Sequence, residues 1–220
     1  MKIVHNNIAV LEGDLISSWV ELSGRLDHDR SALPIIERYI DTNKNVIDIG
    51  AFIGDHTIAY SKKTSQKVYA FEPNKKAFEC LMHNSQHHSN IECYHVALGN
   101  YNGRVSMNID KHNIGANYVT YNEAGEVSIV KLDEYNFKNV GLIKIDAEGY
   151  EVDILKGAKQ TILNSKPILI IEVNRGALRR AGTSEYHLYE ILKEYGYICE
   201  NIYKDHPLDG EQYDIVCKIN

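Results

Sequence analysis

Apolar residues fall in short, nearly unbroken runs along most of this 220-residue chain, separated by polar stretches with a helical period. VIDI (46–49) ends at Gly50, and KVYAFE (67–72), IECYHVA (91–97), LIKID (142–146) and PILIIEV (167–173) have the same character. Runs of this kind are how strands buried on both faces read. Between them lie DHTIAYSKKT (55–64), PNKKAFECLMHN (73–84), EVDILKGAKQTIL (151–163) and SEYHLYEILKEYG (184–196). The second of these segments places Ala77, Phe78, Leu81 and Met82 on one side, and the third aligns Val152, Leu155, Ala158 and Ile162. Ser184 suits an N-cap and Gly196 a stop signal for the last. Strands and helices alternating at this spacing predict an α/β chain with a doubly wound parallel sheet.

Two stretches depart from the rhythm. RVSMNI (104–109) and EVSIVKL (126–132) alternate like antiparallel strands around an Asn/Gly-rich loop, which predicts a β-hairpin insert after the third strand, over one end of the sheet. YICENIY (197–203) and YDIVCKI (213–219) follow each other without a helix, which predicts one antiparallel strand. Upstream, 3–11 reads as a short strand and 14–40 as mostly helical, with Pro34 opening a helix over 34–40. The chain therefore reads as a single domain over 1–220, with a strand and helical cap over 1–44 and the sheet-bearing fold over 45–220.

Charge and cysteine usage narrow the classes. A net charge of −6 disfavours a polyphosphate or nucleic acid as the main partner, and no basic stretch rich in aromatics appears. No apolar stretch approaches the ~20 residues of a membrane span. The opening MKIVHNNIAVLEGD lacks the apolar core of a secretory leader. Cys80, Cys93, Cys199 and Cys217 form no CxxC pair, so the expectation is reduced thiols in a cytoplasmic setting.

Ligands of doubly wound sheets bind outside the carboxyl ends of the strands. Asp48, Glu72, Ala97, Asp146 and Glu172 fall at or near those ends. A dinucleotide turn wants G-x-G-x-x-G, but after Gly50 the other two places hold Phe52 and Asp55, and no P-loop is present. Asp48 would also stand close to a pyrophosphate. The turn suits a ligand that carries positive charge and needs no phosphate cradle, such as S-adenosylmethionine (SAM). Asp48 can attract its ammonium. Backbone N–H groups from Gly50 to Gly54 and the following helix start can hold its carboxylate. Glu72, 22 residues after Gly50, can accept both ribose hydroxyls, though this alone does not separate SAM from NAD.

Four blocks carry a family resemblance: VIDIGAFIGDHT (46–57), VYAFEPN (68–74), VALGNYNGRVSMNI (96–109) and LDEYNFKNVGLIKIDAEGYEVDILKGA (132–158), extended by PILIIEV (167–173). On these the chain resembles the FkbM-type SAM-dependent methyltransferases over about residues 40–175. The resemblance implies a Rossmann-like, seven-stranded class I methyltransferase fold. It also implies O-methylation of a hydroxyl on a sugar, a glycan or a glycosylated metabolite, with S-adenosylhomocysteine as product. The positions taken as cofactor-binding are Asp48, Gly50, Ala51, Phe52, Gly54, Thr57, Glu72, Pro73, Asn74, Ala97 and Asp146. Phe52 departs from the family pattern, which usually has Asn there.

A hydroxyl acceptor gains from a base within hydrogen-bond reach. Asp146, ending strand four, is the first candidate, its other role being to fix the turn Ala147–Gly149; Glu148 and His56 follow. Glu172, Asn174 and Arg175 after strand five, and Asn113, Asn117 and Tyr118 in the insert loop, are the acceptor-binding candidates. The arginines of NRGALRR (Arg175, Arg179, Arg180) suit an anionic acceptor such as a phosphate or uronate. Asp146, Glu172 and Asn174 form an all-oxygen set able to hold Mg²⁺, but the resemblance asks for no metal and none is expected. His83, His87 and His88 have zinc-like spacing without an acidic partner and read as a solvated helix end. Trp19 reads as core or as an oligomer interface, which leaves a homo-oligomer open. Two other readings stand beside the methyltransferase: an NAD-dependent oxidoreductase, which the missing glycines oppose, and a non-catalytic module that binds SAM or a partner.

Overall fold

The computed structural model describes residues 1–26, 32–108, 118–204 and 206–219. An antiparallel pair, β1 (Lys2–Val4) and β2 (Ile8–Val10), leads into α1 (Leu15–Ser23), capped by the Asp14 carboxylate, and then α2 (Leu33–Ile36), with Pro34 in its first turn. The central fold begins with β3 (Asn45–Ile49), α3 (Asp55–Ser61), β4 (Val68–Phe71), α4 (Lys75–Ser85) and β5 (Ile91–Tyr94). Four short strands follow: β6 (Ala97–Leu98), β7 (Gly103–Asn108), β8 (Tyr118–Tyr121) and β9 (Val127–Val130). The chain then returns through β10 (Val140–Ile145), α5 (Glu151–Gly157), α6 (Lys159–Ser165), β11 (Ile168–Asn174), α7 (Arg175–Arg180) and α8 (Glu185–Glu194). It closes with β12 (Tyr197–Asn201) and β13 (Gln212–Ile219).

Seven strands form the main sheet in the order β12-β13-β11-β10-β3-β4-β5. Its strands from β11 to β5 are parallel, while β13 runs antiparallel to both its neighbours. The chain builds outward from β3 to β5 and then crosses back to β10, so the connection order reverses between β3 and β10. That reversal is where such sheets open a ligand crevice.

Strand alternation sends Ile47, Ile49, Ile143 and Ile145 to one face, against Leu155 of α5 and Leu188 of α8. Val46, Leu142 and Ile170 go to the other, against Tyr60 of α3 and Ile36 of α2. At the β5 side, Tyr69 stacks on Phe137 at 4.0 Å and Phe71 on Tyr94 at 4.8 Å, which gives part of the high tyrosine content a packing role.

Several local features differ from the sequence pattern. The helical stretch 151–163 divides at Ala158, and the Asp133 carboxylate accepts from the N–H groups of Gln160 and Thr161 to cap α6. A Cβ on Gly157 would lie 1.8 Å from the Gly99 carbonyl oxygen, so only glycine lets α5 lie against the chain leaving β6. Ala77, Cys80 and Leu81 form the buried side of α4, and Met82 turns outward. The insert is a four-stranded sheet, β6-β9-β7-β8, rather than a hairpin alone, with a small core of Val105, Val119, Val127 and Ile129. Trp19 is half exposed beside Leu15 and Leu22, not core. The expectation of four reduced thiols also fails. Cys199 and Cys217 pair directly across β12 and β13, with Cα atoms 4.1 Å apart and their sulfurs joined as a disulfide, while Cys80 and Cys93 are free. No helix among the described residues is long and apolar enough to cross a membrane.

Ile143 lies at the centre of β10, fully buried. Ile143→Ala is expected to cost about 2–5 kcal/mol of unfolding free energy in urea denaturation, the range for a large core aliphatic cut to alanine. A loss below about 1 kcal/mol would contradict this placement of the core.

Candidate functional site

The crevice at the reversal point is a cavity of about 250 Å³. Gly50, Phe52, Glu72, Pro73 and Ala97 line one side of it, and Lys144, Asp146, Glu148, Glu172 and Asp214 the other. His56 and Tyr118 also reach it.

Gly50 follows β3 with φ +79°, and a Cβ there would stand 1.8 Å from the Asp146 carbonyl oxygen. The turn crosses the end of β10 at backbone contact, and only glycine fits. Phe52 holds a left-handed φ of 48°, which costs a non-glycine residue about 1–2 kcal/mol. Asn, the residue the family resemblance expects there, tolerates this region better. Phe52 instead packs partly against the cluster of Ile53, Ala77 and Cys80.

Glu72 follows β4 and is almost fully buried. Its Oε2 accepts from the Phe52 N–H at 2.9 Å and its Oε1 from the Asn74 N–H at 2.7 Å. Burial pushes its pKa up to about 7, and the two backbone donors pull the other way. Each carboxylate oxygen can accept a second hydrogen bond, so Glu72 has capacity for two more donors, the number a ribose diol offers.

Other expected cofactor contacts are placed differently. Asp48 is fully buried, and its Oδ2 accepts from the Thr57 hydroxyl at 2.5 Å. Burial raises its pKa, and the Lys144 charge opposes that rise. Asp48 and Thr57 thus tie β3 to α3 beneath the turn and do not line the cavity. Ala51 is packed against Ala70 and Leu81, and Gly54 lies over Leu81. Asn74 caps α4 by accepting from the Lys76 and Ala77 N–H groups. The N–H groups of Gly50 and Ala51 bond the Phe71 carbonyl, that of Phe52 bonds Glu72, and that of Gly54 bonds the Ala51 carbonyl. Four of the amides expected to hold a ligand carboxylate, those of Gly50, Ala51, Phe52 and Gly54, thus have partners within the protein.

On the acceptor side, the turn after β10 is fixed by Glu151, whose Oε1 accepts from the N–H groups of Ala147 and Gly149 at 3.0 and 3.1 Å. Asp146 is thereby released from the capping role and pairs with the Lys144 ammonium at 3.0 Å. Glu148 adopts a left-handed φ of 51°. Burial and the nearby Asp146 and Glu151 push its pKa up to about 7, against the pull of Arg180. Glu172 accepts from the Gln212 amide at 2.8 Å, and burial with three neighbouring acids raises its pKa well above the ordinary carboxylate range. Oxygen atoms of Asp146, Glu148 and Glu172 lie within 4.8 Å of one another, a donor set of the type that accepts a hard divalent cation.

Asn174 and Arg175 fall outside the cavity. Asn174 caps α7 by accepting from the Ala177 N–H, and Arg175 binds Glu185 and the carbonyls of Leu208 and Asp209, anchoring the segment before β13. Arg179 pairs with Glu211, and Arg180 lies over the Tyr118 ring at 4.1 Å. Asn113 and Asn117 lie outside the described residues. His56 shares a hydrogen bond with the Tyr60 hydroxyl at 3.1 Å. His83 and His88 bond to the Asn7 carbonyl and the Ser61 hydroxyl, and so serve packing. Sequence reasoning missed Lys144, Glu151 and Asp214. Register alone reveals two of them: Lys144 pairs with Asp48 in β3, and Asp214 lies opposite Glu172.

The model of the methyltransferase FkbM domain matches residues 48–199. The hexuronic acid methyltransferase AglP of Haloferax volcanii is 30% identical over 139 residues, 59% of this chain and 55% of that protein. Methyltransferase 1 of Beauveria bassiana is 23% identical over 142 residues, 51% of this chain and 57% of its own length. The chain thus spans about half the length of the curated relatives it matches. Among solved structures, methyltransferase FkbM of Methylobacillus flagellatus aligns with a TM-score of 0.58 at 17% identity, covering 92% of this chain and 52% of that one. SMU.1697c of Streptococcus mutans, solved in complex with SAH, aligns with a TM-score of 0.53 at 13% identity, covering 85% and 94%. At such identities the likeness is one of fold, that of class I methyltransferases with a mixed seven-stranded sheet.

A carboxyl that titrates near 7 is half charged at neutral pH, and the ionised form is the better acceptor for two hydroxyls. Affinity for S-adenosylhomocysteine is therefore expected to rise about tenfold between pH 6 and pH 8, as Glu72 loses its proton. Calorimetry at the two pH values checks this, and the rise should disappear in Glu72→Gln.

Proposed function

Because the chain belongs to the FkbM methyltransferase family, we propose that it methylates a sugar hydroxyl, on a glycan or a glycosylated metabolite. The cofactor is SAM. It supplies a methyl group already activated by the sulfonium, so the protein's tasks are to hold, to align and to take up a proton. The observation that carries the reading is Glu72, buried at the end of β4 with both oxygens steadied by backbone donors and both able to accept again. Glu72 would hold the ribose, with Gly50, Phe52, Pro73 and Ala97 bordering the ligand and Asp146 facing its cationic end. The surplus of carboxyl groups in the cavity favours a positively charged cofactor.

The acceptor side favours a sugar. Tyr118, with Arg180 over its ring, reaches the cavity, and Glu148 and Glu172 offer hydrogen bonds to hydroxyls. The relative named for hexuronic acid supports the same class. Among the three candidate bases, Asp146 pairs with Lys144 at 3.0 Å and His56 bonds the Tyr60 hydroxyl, whereas the Arg180 guanidinium stands farther from Glu148, at 3.9 Å. Glu148, titrating near 7, is poised to take the acceptor's proton at neutral pH, with Arg180 steadying the turn that carries it.

The test is transfer of tritiated methyl from SAM to methyl glucoside and methyl glucuronide. Label is expected in at least one sugar as an alkali-stable ether. Glu148→Gln should lower kcat about 10²–10⁴-fold, with affinity for S-adenosylhomocysteine within about twofold of wild type. Label in neither sugar, or an undiminished kcat in the variant, would contradict the proposal.

A further inference from the structure

Lys144 is a cation placed where charge is costly. It sits on β10, on the sheet face it shares with Leu142, and its side chain is only 11% exposed. Its strand partners are Asp48 in β3 and Ile170 in β11. From the overlying α3, Asp55 adds to the negative field around it. Desolvation alone would push a lysine here toward the neutral amine, but the surrounding acids outweigh it and the ammonium persists.

The proposed chemistry does not use Lys144, yet it lines the cavity and holds the Asp146 Oδ2 at 3.0 Å. Asp146 follows the last residue of β10, and its side chain is 30% exposed, so nothing in the strand itself keeps the carboxylate from turning to water. Without the ammonium, Asp48 and Asp146 would both lose a close counter-charge, and the partly exposed Asp146 could turn outward.

We propose that Lys144 is a positioning residue, whose ammonium pins the Asp146 carboxylate to the cavity wall so that a fixed acid meets the cationic methionine end of SAM. This rests on the reading of the cavity as a SAM site. Lys144 acts through Asp146 and need not touch the ligand.

Two ligands separate this role from a structural one. SAM has the methionine end, whereas 5′-methylthioadenosine keeps the adenosine and the sulfur but lacks the amino acid. Calorimetry on wild type, Lys144→Met, Asp146→Asn and the double variant measures both. Lys144→Met is expected to weaken SAM about tenfold, the size of one charge-assisted contact, and to leave 5′-methylthioadenosine within about twofold. The double variant should be no weaker than Asp146→Asn alone, because the two residues act as one unit. Should the methionine disturb folding, Lys144→Gln takes its place, with the same selective loss expected. Unchanged or tighter SAM binding, an equal loss for both ligands, or losses that add would overturn the proposal. Wild-type protein that binds neither ligand would overturn the cofactor reading itself.

Discussion

The closest approach in the molecule that matters for function is between the Gly50 turn and the Asp146 carbonyl, where a methyl group would stand 1.8 Å from the oxygen. That contact lies where the connection order reverses between β3 and β10. It sets the height at which the glycine turn leaves the sheet, and so where Glu72, bonded to the next residue but one, can present its carboxyl group. On the far side it fixes the backbone of Asp146, from which the chain turns to Glu148 and α5. The two halves of the cavity therefore share one backbone hinge point, and a side chain at position 50 would part them.

Around that point, polar residues divide their work. Asp48, Asn74, Asp133, Glu151 and Asn174 satisfy buried or terminal groups and hold turns in place. Glu72, Asp146, Glu148, Glu172 and Asp214 keep access to the cavity. Two residues of the first set act directly on members of the second. Glu151 holds the turn that Asp146 would otherwise hold, and Asn74 caps α4 while its N–H steadies Glu72. A cavity rich in carboxyl groups is tolerable because burial raises several of their pKa values toward neutrality and Lys144 supplies a counter-charge.

How far the sequence could be read follows from the kind of signal each feature leaves. The buried parallel strands were readable because both their faces are apolar, and the glycine turn because its spacing breaks the dinucleotide pattern. The roles of Asn74, Asn174 and Arg175 were not, since a residue that caps a helix and one that binds a ligand are the same residue type at the same strand end. Arg175 is drawn from the cavity by Glu185, ten residues on, which no local pattern announces. Lys144 and Asp214 acquire their meaning from neighbours in other strands, Asp48 and Glu172, and so from register. The disulfide between Cys199 and Cys217 is likewise a matter of register across the last two strands. β8 was missed because its β-branched and aromatic residues, YVTY, stand inside a stretch read as loop.

The most direct measurement is a calorimetric titration of the purified, dialysed protein with S-adenosylhomocysteine and, separately, with NAD, repeated on Glu72→Ala. If the glycine turn and Glu72 form a SAM site, S-adenosylhomocysteine is expected to bind wild type in the micromolar range, the variant is expected to lose that binding, and NAD is expected to bind neither. Binding of NAD in place of S-adenosylhomocysteine, or undiminished binding in Glu72→Ala, would contradict the assignment of the site.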